Sequence, residues 1–168
     1  AHNNLGSALY QQDNLTAAIA AYNTAIKLKP NLPKTHNNLG LALQERGDIN
    51  AAIASFNKAI ELNPNFTDAH FNLGNALKEQ GDLSAAIDSF NTALHLKPNF
   101  PDAHFNLGNA LKEKGDLTAA IDSFNTALHL KPNFPDAHIN LGNALQEKGD
   151  LTAVIATCIK AFELIPNF

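Results

Sequence analysis

Five histidines recur every 34 residues along this 168-residue chain, and histidine is both a frequent metal ligand and an acid–base group near neutral pH. The row consists of His2, His36, His70, His104 and His138. If each histidine belongs to one packed helical unit, neighbouring members are about 10 Å apart, the usual distance between packed helices. Zinc ligands must lie about 2 Å from one ion, so one metal cannot bridge the row. The spacing therefore predicts packing between units and no metal or cofactor site.

Asparagines form two further rows, and each side-chain amide offers both hydrogen-bond donors and acceptors. The longer row keeps the 34-residue interval throughout, and a shorter row lies three residues after it in the last three units. The rows are Asn4, Asn38, Asn72, Asn106 and Asn140, and Asn75, Asn109 and Asn143. An extended peptide advances about 3.3 Å per residue, so amides about 10 Å apart could bond the backbone of every third residue whatever its sequence. The alternative is that these amides bond neighbouring backbone groups and hold the units together.

The rest of the sequence follows the same period. Segments Asp68–Pro101 and Asp102–Pro135 differ at only two positions. A fixed period of this length is typical of a solenoid of stacked helical repeats. We expect one domain, cut from a longer protein because the chain begins inside a repeat without an initiating methionine. Its repeats are predicted at about 1–33, 34–67, 68–101, 102–135 and 136–168.

Each repeat is predicted to form two helices. In the fourth repeat an apolar stripe at helical spacing covers the first helix, and Gly108 interrupts it where glycine costs about 1 kcal/mol relative to alanine. Because glycine recurs at this place, we expect another helix to cross too closely for a side chain. Gly115 then suits the end of the first helix, and Asp116 suits the start of the second. So tight a connection makes the two helices antiparallel neighbours.

The pattern Ala-His-Phe-Asn-Leu-Gly-Asn-Ala-Leu, followed by Gly-Asp-Leu, Ala-Ile, Phe, Ala-Leu and Pro-Asn, resembles the tetratricopeptide repeat in all five units. The resemblance implies an all-α fold, a right-handed α-solenoid superhelix of antiparallel helix-turn-helix repeats whose first helices line a concave groove. The chain departs from the family by having histidine where a tryptophan or another large residue usually stands. The last repeat also departs from it, at Val154, Cys158 and Ile165.

On this groove, the asparagines from Asn38 onward become candidate peptide-binding residues, and apolar side chains beside them could add hydrophobic contact. The candidates are Asn38, Asn72, Asn75, Asn106, Asn109, Asn140, Asn143, Phe71, Phe105, Ile139, Lys78, Lys112 and Asp102. Packing between repeats is the alternative for the apolar three. Lys78 and Lys112 could meet an acidic ligand, but each precedes a glutamate. Aspartates such as Asp102 favour a basic or neutral segment over a carboxylate clamp. The asparagine row resembles the one lining the repeat arm of O-linked N-acetylglucosamine transferases.

Composition argues against several other classes of protein. A net charge of −4 and an isoelectric point near 5.9 argue against a nucleic-acid surface, which usually needs a basic stripe. No apolar run approaches the roughly 20 residues that span a bilayer, so no membrane partner is expected. The single cysteine, Cys158, excludes a disulfide framework and a cysteine-based zinc site, and its position favours a buried side chain. Without a phosphate loop or convergent carboxylates, we expect no enzyme, and we expect an intracellular, cytoplasmic protein.

These patterns together predict a non-catalytic protein–protein interaction module that binds an extended peptide or partner segment in the groove. One alternative is the substrate-recruiting arm of a larger enzyme such as a glycosyltransferase. Another is an assembly scaffold that self-associates by end-to-end stacking, because solenoids need polar capping repeats. In that case Ile155, Phe162 and Ile165 in the last repeat would face a neighbouring copy.

Overall fold

The computed structural model describes residues 2–150, 152–155 and 159. Residues 2–150 form nine α-helices, residues 152–155 and 159 are also helical, and the described residues contain no strand. The helices are α1 (His2–Gln11), α2 (Leu15–Leu28), α3 (Pro33–Glu45), α4 (Ile49–Leu62), α5 (Thr67–Gln80), α6 (Leu83–Leu96), α7 (Pro101–Lys114), α8 (Leu117–Leu130) and α9 (Pro135–Lys148). Odd-numbered helices are the first helices of the repeats, and even-numbered helices are the second. The predicted all-α architecture of tandem helix-turn-helix repeats is confirmed.

The chain divides into two compact units, Ala1–Ser89 and Phe90–Phe168. In the first unit each of α1 to α4 packs against the next helix along the chain, and the first helices also touch one another, α1 on α3 and α3 on α5. In the second unit α8 packs against both α7 and α9, and α7 touches α9. Side chains on consecutive first helices can therefore meet within each unit, which is where the asparagine rows lie.

Helix ends follow the residues that favoured them in the sequence. Gly115 adopts a φ of +90°, the left-handed conformation that glycine reaches without a Cβ clash, and its N–H caps α7. One residue later the Asp116 carboxylate accepts a hydrogen bond from the Ala119 N–H at 3.1 Å and caps α8. Pro101 lies in the first turn of α7, where its missing N–H costs nothing. These caps keep the turn short and hold the two helices of a repeat together.

In the first, second and fourth repeats an aromatic ring of the second helix packs over the mid-helix glycine of the first. The rings of Phe56 and Phe124 are fully buried. A Cβ atom added at Gly40 would lie 2.5 Å from Phe56 Cε1, and one added at Gly108 would lie 2.6 Å from Phe124 Cε1. The close approach predicted at the recurring glycine is confirmed, and the neighbour is an aromatic side chain. Tyr22 packs in the same way over Gly6, with its ring 2.6 Å from the added Cβ.

Four of the five histidines of the row bond to the loops that precede their helices. Nε2 of His36 lies 2.9 Å from the carbonyl oxygen of Pro30. Because a carbonyl can only accept, Nε2 carries the proton and donates it. The same bond, six residues back, recurs in His70–Pro64, His104–Pro98 and His138–Pro132. Each histidine thus ties the loop that closes one repeat to the first helix of the next. The Pro–His interval was visible in the sequence, but its hydrogen bond was not predicted.

The described residues contain no helix long and apolar enough to cross a bilayer. Among the residues predicted to stack end to end, the Ile155 side chain is 62% exposed. Phe162 and Ile165 lie outside the described residues, as does Cys158, which was predicted to be buried. In the first repeat Leu5 is 51% exposed, whereas Leu39, one period later, is buried.

Candidate functional site

In the first unit an amide pair joins two consecutive first helices. The Asn72 Nδ2 on α5 donates to the Asn37 Oδ1 on α3 at 3.0 Å. Asn37 is buried and Asn72 is half-buried. Asn72 belongs to the predicted row, whereas Asn37 stands one residue before that row and was not predicted. The bond fixes the Asn72 side chain against the preceding repeat.

The second unit contains an amide pair with a different partner. The Asn140 Nδ2 on α9 donates to the Asn109 Oδ1 on α7 at 2.7 Å, so the two predicted rows meet here. Both side chains are half-buried. An asparagine amide has two N–H donors and an oxygen that can accept twice. Each pair uses one donor of the row asparagine, and it leaves the oxygen of Asn72 and of Asn140 as an acceptor that these bonds do not use.

The remaining predicted asparagines differ in exposure. Asn75 and Asn106 are half-buried, and Asn143 is exposed. Asn38 is half-buried and lines a cavity of about 200 Å³ together with Ser7, Tyr10 and Leu41. Leu41 holds the position that asparagine holds in repeats three to five. The shorter asparagine row therefore begins only at the third repeat, after Ser7 in the first and Leu41 in the second.

The three apolar candidates differ in their exposure and in their packing. The Phe105 ring is half-buried, with its centroid 4.8 Å from that of Phe134 and 6.0 Å from that of Phe124. It thus packs between its own repeat and the start of the next, which is the packing alternative stated for it. Ile139 is 51% exposed, and Phe71 is half-buried. Ile139 is the member of the three with the most surface left for a ligand.

A row of polar links joins the ends of the first helices, each between a residue and the glutamate 35 positions later. The Tyr10 hydroxyl hydrogen-bonds Glu45. The links further along the chain are Gln44 Nε2 to Glu79 Oε2 at 2.9 Å and Lys112 Nζ to Glu147 Oε1 at 3.8 Å. Lys112 was considered for an acidic ligand, and here it lies beside Glu147, which offsets part of its charge. The sequence did carry a signal for this row, because glutamate recurs at the 34-residue interval.

The other two charged candidates are Lys78 and Asp102. Lys78 is half-buried. Asp102 Oδ1 lies 4.0 Å from Lys131 Nζ, and about half of each side chain is exposed. Exposed pairs of this kind contribute roughly 0–1 kcal/mol, so Asp102 remains available to a ligand. Its negative charge lies in the first turn of α7.

The Tyr10–Glu45 link is expected to shift one tyrosine titration. Burial, followed by the hydrogen bond and the charge of Glu45, raises the pKa of Tyr10 from 10.0 to about 12. Because the folded pKa exceeds the unfolded one, the stabilisation is complete below pH 10 and is lost as the pH rises through 12. Glu45→Gln should lower the pKa of Tyr10 while leaving it above 10.0, since burial is the largest cause. Ultraviolet titration in a Tyr22→Phe background isolates this hydroxyl. An identical midpoint with and without Glu45 would show that the link contributes nothing.

The repeats match known families over nearly the whole chain. The family profile described as TPR repeat matches residues 6–45, 42–81, 74–115 and 108–149, and a profile described as tetratricopeptide repeat matches 135–168. No curated protein sequence matches the chain significantly.

Solved structures with the same fold include those of two proteins, MamA and YrrB. A crystal structure of MamA has a TM-score of 0.90 at 29% identity, covering 95% of this chain and 93% of that one. MamA 41-end from Desulfovibrio magneticus RS-1 has a TM-score of 0.91 at 23% identity, covering 97% and 92%. The crystal structure of YrrB, described as a TPR protein with an unusual peptide-binding site, has a TM-score of 0.84 at 23% identity, covering 99% and 86%.

Proposed function

Because the chain belongs to the tetratricopeptide repeat family, whose members generally serve as protein-interaction modules and are typically non-catalytic, we propose that it binds an extended segment of a partner protein. The contacts are made by the asparagines of the first helices. The observation that carries this proposal is the pair of interhelical amide bonds, Asn72 to Asn37 and Asn140 to Asn109. Groups that are already held in place lose less conformational entropy on binding, and these bonds hold two row asparagines.

Fixed amides suit a peptide backbone for an energetic reason. Ordering a free side chain on binding costs about 0.5–1.5 kcal/mol, and the internal bond has already met part of that cost for Asn72 and Asn140. The oxygen of each amide can accept a backbone N–H of the partner, and its second N–H can donate to a backbone C=O. Such contacts recognise an extended backbone and tolerate many side chains. Sequence preference must then come from neighbouring charges and apolar surfaces.

The charges beside the row favour a basic or neutral segment. Asp68, Asp102 and Asp136 are exposed in the first turns of α5, α7 and α9. Lys112, which would attract an acidic ligand, lies 3.8 Å from Glu147. A site for a terminal carboxylate needs lysine or arginine at the groove positions, and those positions hold asparagine and aspartate.

Peptides selected from a random library test this proposal. Phage-displayed peptides of about twelve residues span about 40 Å when extended and can be selected on the wild-type chain. A net hydrogen bond contributes about 0.5–1.5 kcal/mol, so Asn72→Ala should weaken the selected peptides about threefold to tenfold, measured by fluorescence anisotropy. Asn140→Ala should have a similar effect.

Two controls separate contact from structural support. Asn37→Ala removes the same interhelical bond but keeps the Asn72 side chain, so it should lower stability while weakening the peptides less than Asn72→Ala does. Asn57→Ala changes an exposed asparagine of α4 and should leave binding unchanged. Equal losses of affinity for Asn37→Ala and Asn72→Ala would mean that the row only supports the stack, and would overturn the proposal.

The two other functions expected from the sequence stay predictions. Exposed Ile155 and Leu5 are compatible with end-to-end stacking. The resemblance of the asparagine row to the arm of a glycosyltransferase concerns the same residues as the peptide site. A recruiting arm would use that site in the same way, since its substrates are proteins.

A further inference from the structure

A cavity of about 420 Å³ lies in the first unit, where α1 begins and the loops before α3 and α5 meet. Its walls are mainly apolar. Among the residues that line it are Asn3, Leu32, Pro33, Lys34, Thr35 and Phe66. Asn3 stands one residue before the first asparagine of the row, so the cavity adjoins the surface proposed to bind the partner segment.

The cavity occupies a place that the second unit fills with its own aromatic rings. Three periods of 34 residues separate Asn3 from Phe105 and Leu32 from Phe134. In the second unit those two phenylalanine rings pack with centroids 4.8 Å apart. In the first repeat both rings are replaced by smaller side chains. The cavity therefore has the position of a missing aromatic pair.

In the second unit a lysine lies over the ring of Phe134 and another lies over the ring of Phe100. The first repeat has the corresponding lysine but no aromatic ring beside it. Lys131 Nζ lies 4.3 Å from the centroid of Phe134, and Lys97 Nζ lies 4.5 Å from that of Phe100. Lys29 holds the corresponding position before Leu32 and lines a second cavity that shares Leu32 and Asn3. An aromatic ring beside Leu32 would restore the cation–π contact found in the later repeats.

Two polar features of the rim restrict which side chains the cavity can bind. The Asn3 Oδ1 is buried without a hydrogen-bond partner, whereas Asn37, one period later, accepts from Asn72. The terminal torsion of asparagine rotates easily, so a donor arriving with a ligand can satisfy this oxygen. Lys34 is exposed at the position where repeats three to five have aspartate. The rim is therefore basic here, in contrast to the acidic starts of the later first helices.

We propose that this cavity receives an aromatic side chain of the bound segment and that Lys34 pairs with an acidic residue beside it. The proposal rests on the function proposed above and adds a sequence preference to it. The aromatic ring contacts Leu32 and Phe66, and the Asn3 amide accepts a donor from the segment. The segment thus binds acidic-aromatic at the first repeat and neutral or basic along the later ones.

The peptide selection described above tests this proposal with a cavity-filled variant. Asn3→Phe/Leu32→Phe restores the pair that Phe105 and Phe134 form, so the variant is expected to fold, which circular dichroism checks. Peptides selected on the wild-type chain should share an aromatic residue next to an acidic one. Replacing that aromatic residue with alanine should weaken binding about tenfold or more to the wild-type chain and leave binding to the filled variant nearly unchanged.

Indole alone is the second probe. It should shift the amide NMR signals of Thr35 and Phe66 in the wild-type chain and not in the filled variant; indole shifts that persist in the filled variant would overturn the cavity site. Selected peptides without an aromatic preference that still depend on Asn72 would overturn the cavity proposal and leave the asparagine site standing. Peptides that depend on their aromatic residue and on an open cavity, but not on Asn72, would support the cavity and overturn the asparagine contacts.

Discussion

Phe56→Ala should lower the free energy of unfolding by about 3–5 kcal/mol, the range measured when a fully buried phenylalanine is truncated. Its side chain has no exposed surface and lies directly over Gly40, which has no side chain to fill the space. Ala52 and Leu73, in the same core cluster, would have to move to close the cavity. Since they are carried on helices packed against other repeats, the collapse should be incomplete. Urea unfolding followed by far-ultraviolet circular dichroism measures the loss.

The neighbouring surface position gives the control for this change. Asn57→Ala alters an exposed residue of the same helix, and it should change stability by less than about 0.5 kcal/mol. Because repeat proteins are stabilised by nearest-neighbour interfaces, Phe56→Ala should also make unfolding less cooperative, which appears as a smaller dependence on urea. A loss close to that of Asn57→Ala would show that the ring contributes little and that the glycine contact is incidental.

The sequence predicted the helices and the close crossings because these depend on periodic residues. Gly108 interrupts an apolar stripe, and only a nearby group makes a buried mid-helix glycine useful. Gly115 with Asp116 determines where one helix ends and the next begins. Both predictions rest on backbone geometry, and the period fixes that geometry in every repeat. The ring over the glycine was not predicted, because the interval between them does not show which side chain faces the other helix.

The contacts of the candidate site were harder to predict from the sequence, because they depend on small differences between repeats. Asn72 pairs with Asn37, whereas Asn140 pairs with Asn109, although Asn72 and Asn140 occupy the same position in their repeats. The partner changes because the second repeat has asparagine before the row and leucine after it, at Asn37 and Leu41, whereas the fourth repeat has phenylalanine before it and asparagine after it, at Phe105 and Asn109. Deviations from the repeat were thus more informative about the site than the repeat itself. The Asn3 position, where the third and fourth repeats have Phe71 and Phe105, shows the same effect.

Gly40→Ala should destabilise the protein by about 1–2 kcal/mol, although alanine is normally the better helix residue by about 1 kcal/mol. The added Cβ would lie 2.5 Å from Phe56 Cε1, so the ring has to move. Because the ring is fully buried, it can move only by displacing the core. The steric cost therefore exceeds the gain in helix propensity.

The same substitution should change sign once the ring is removed. In a Phe56→Ala background the clash disappears, so Gly40→Ala should stabilise the chain by about 1 kcal/mol through helix propensity and partial filling of the cavity. The coupling between the two sites, from a double-mutant cycle in urea, is then about 2–3 kcal/mol. Additive effects would contradict the direct contact, because two sites without shared packing do not couple. The glycine and the aromatic ring thus act as one packing element, which explains why the two recur together in the first four repeats.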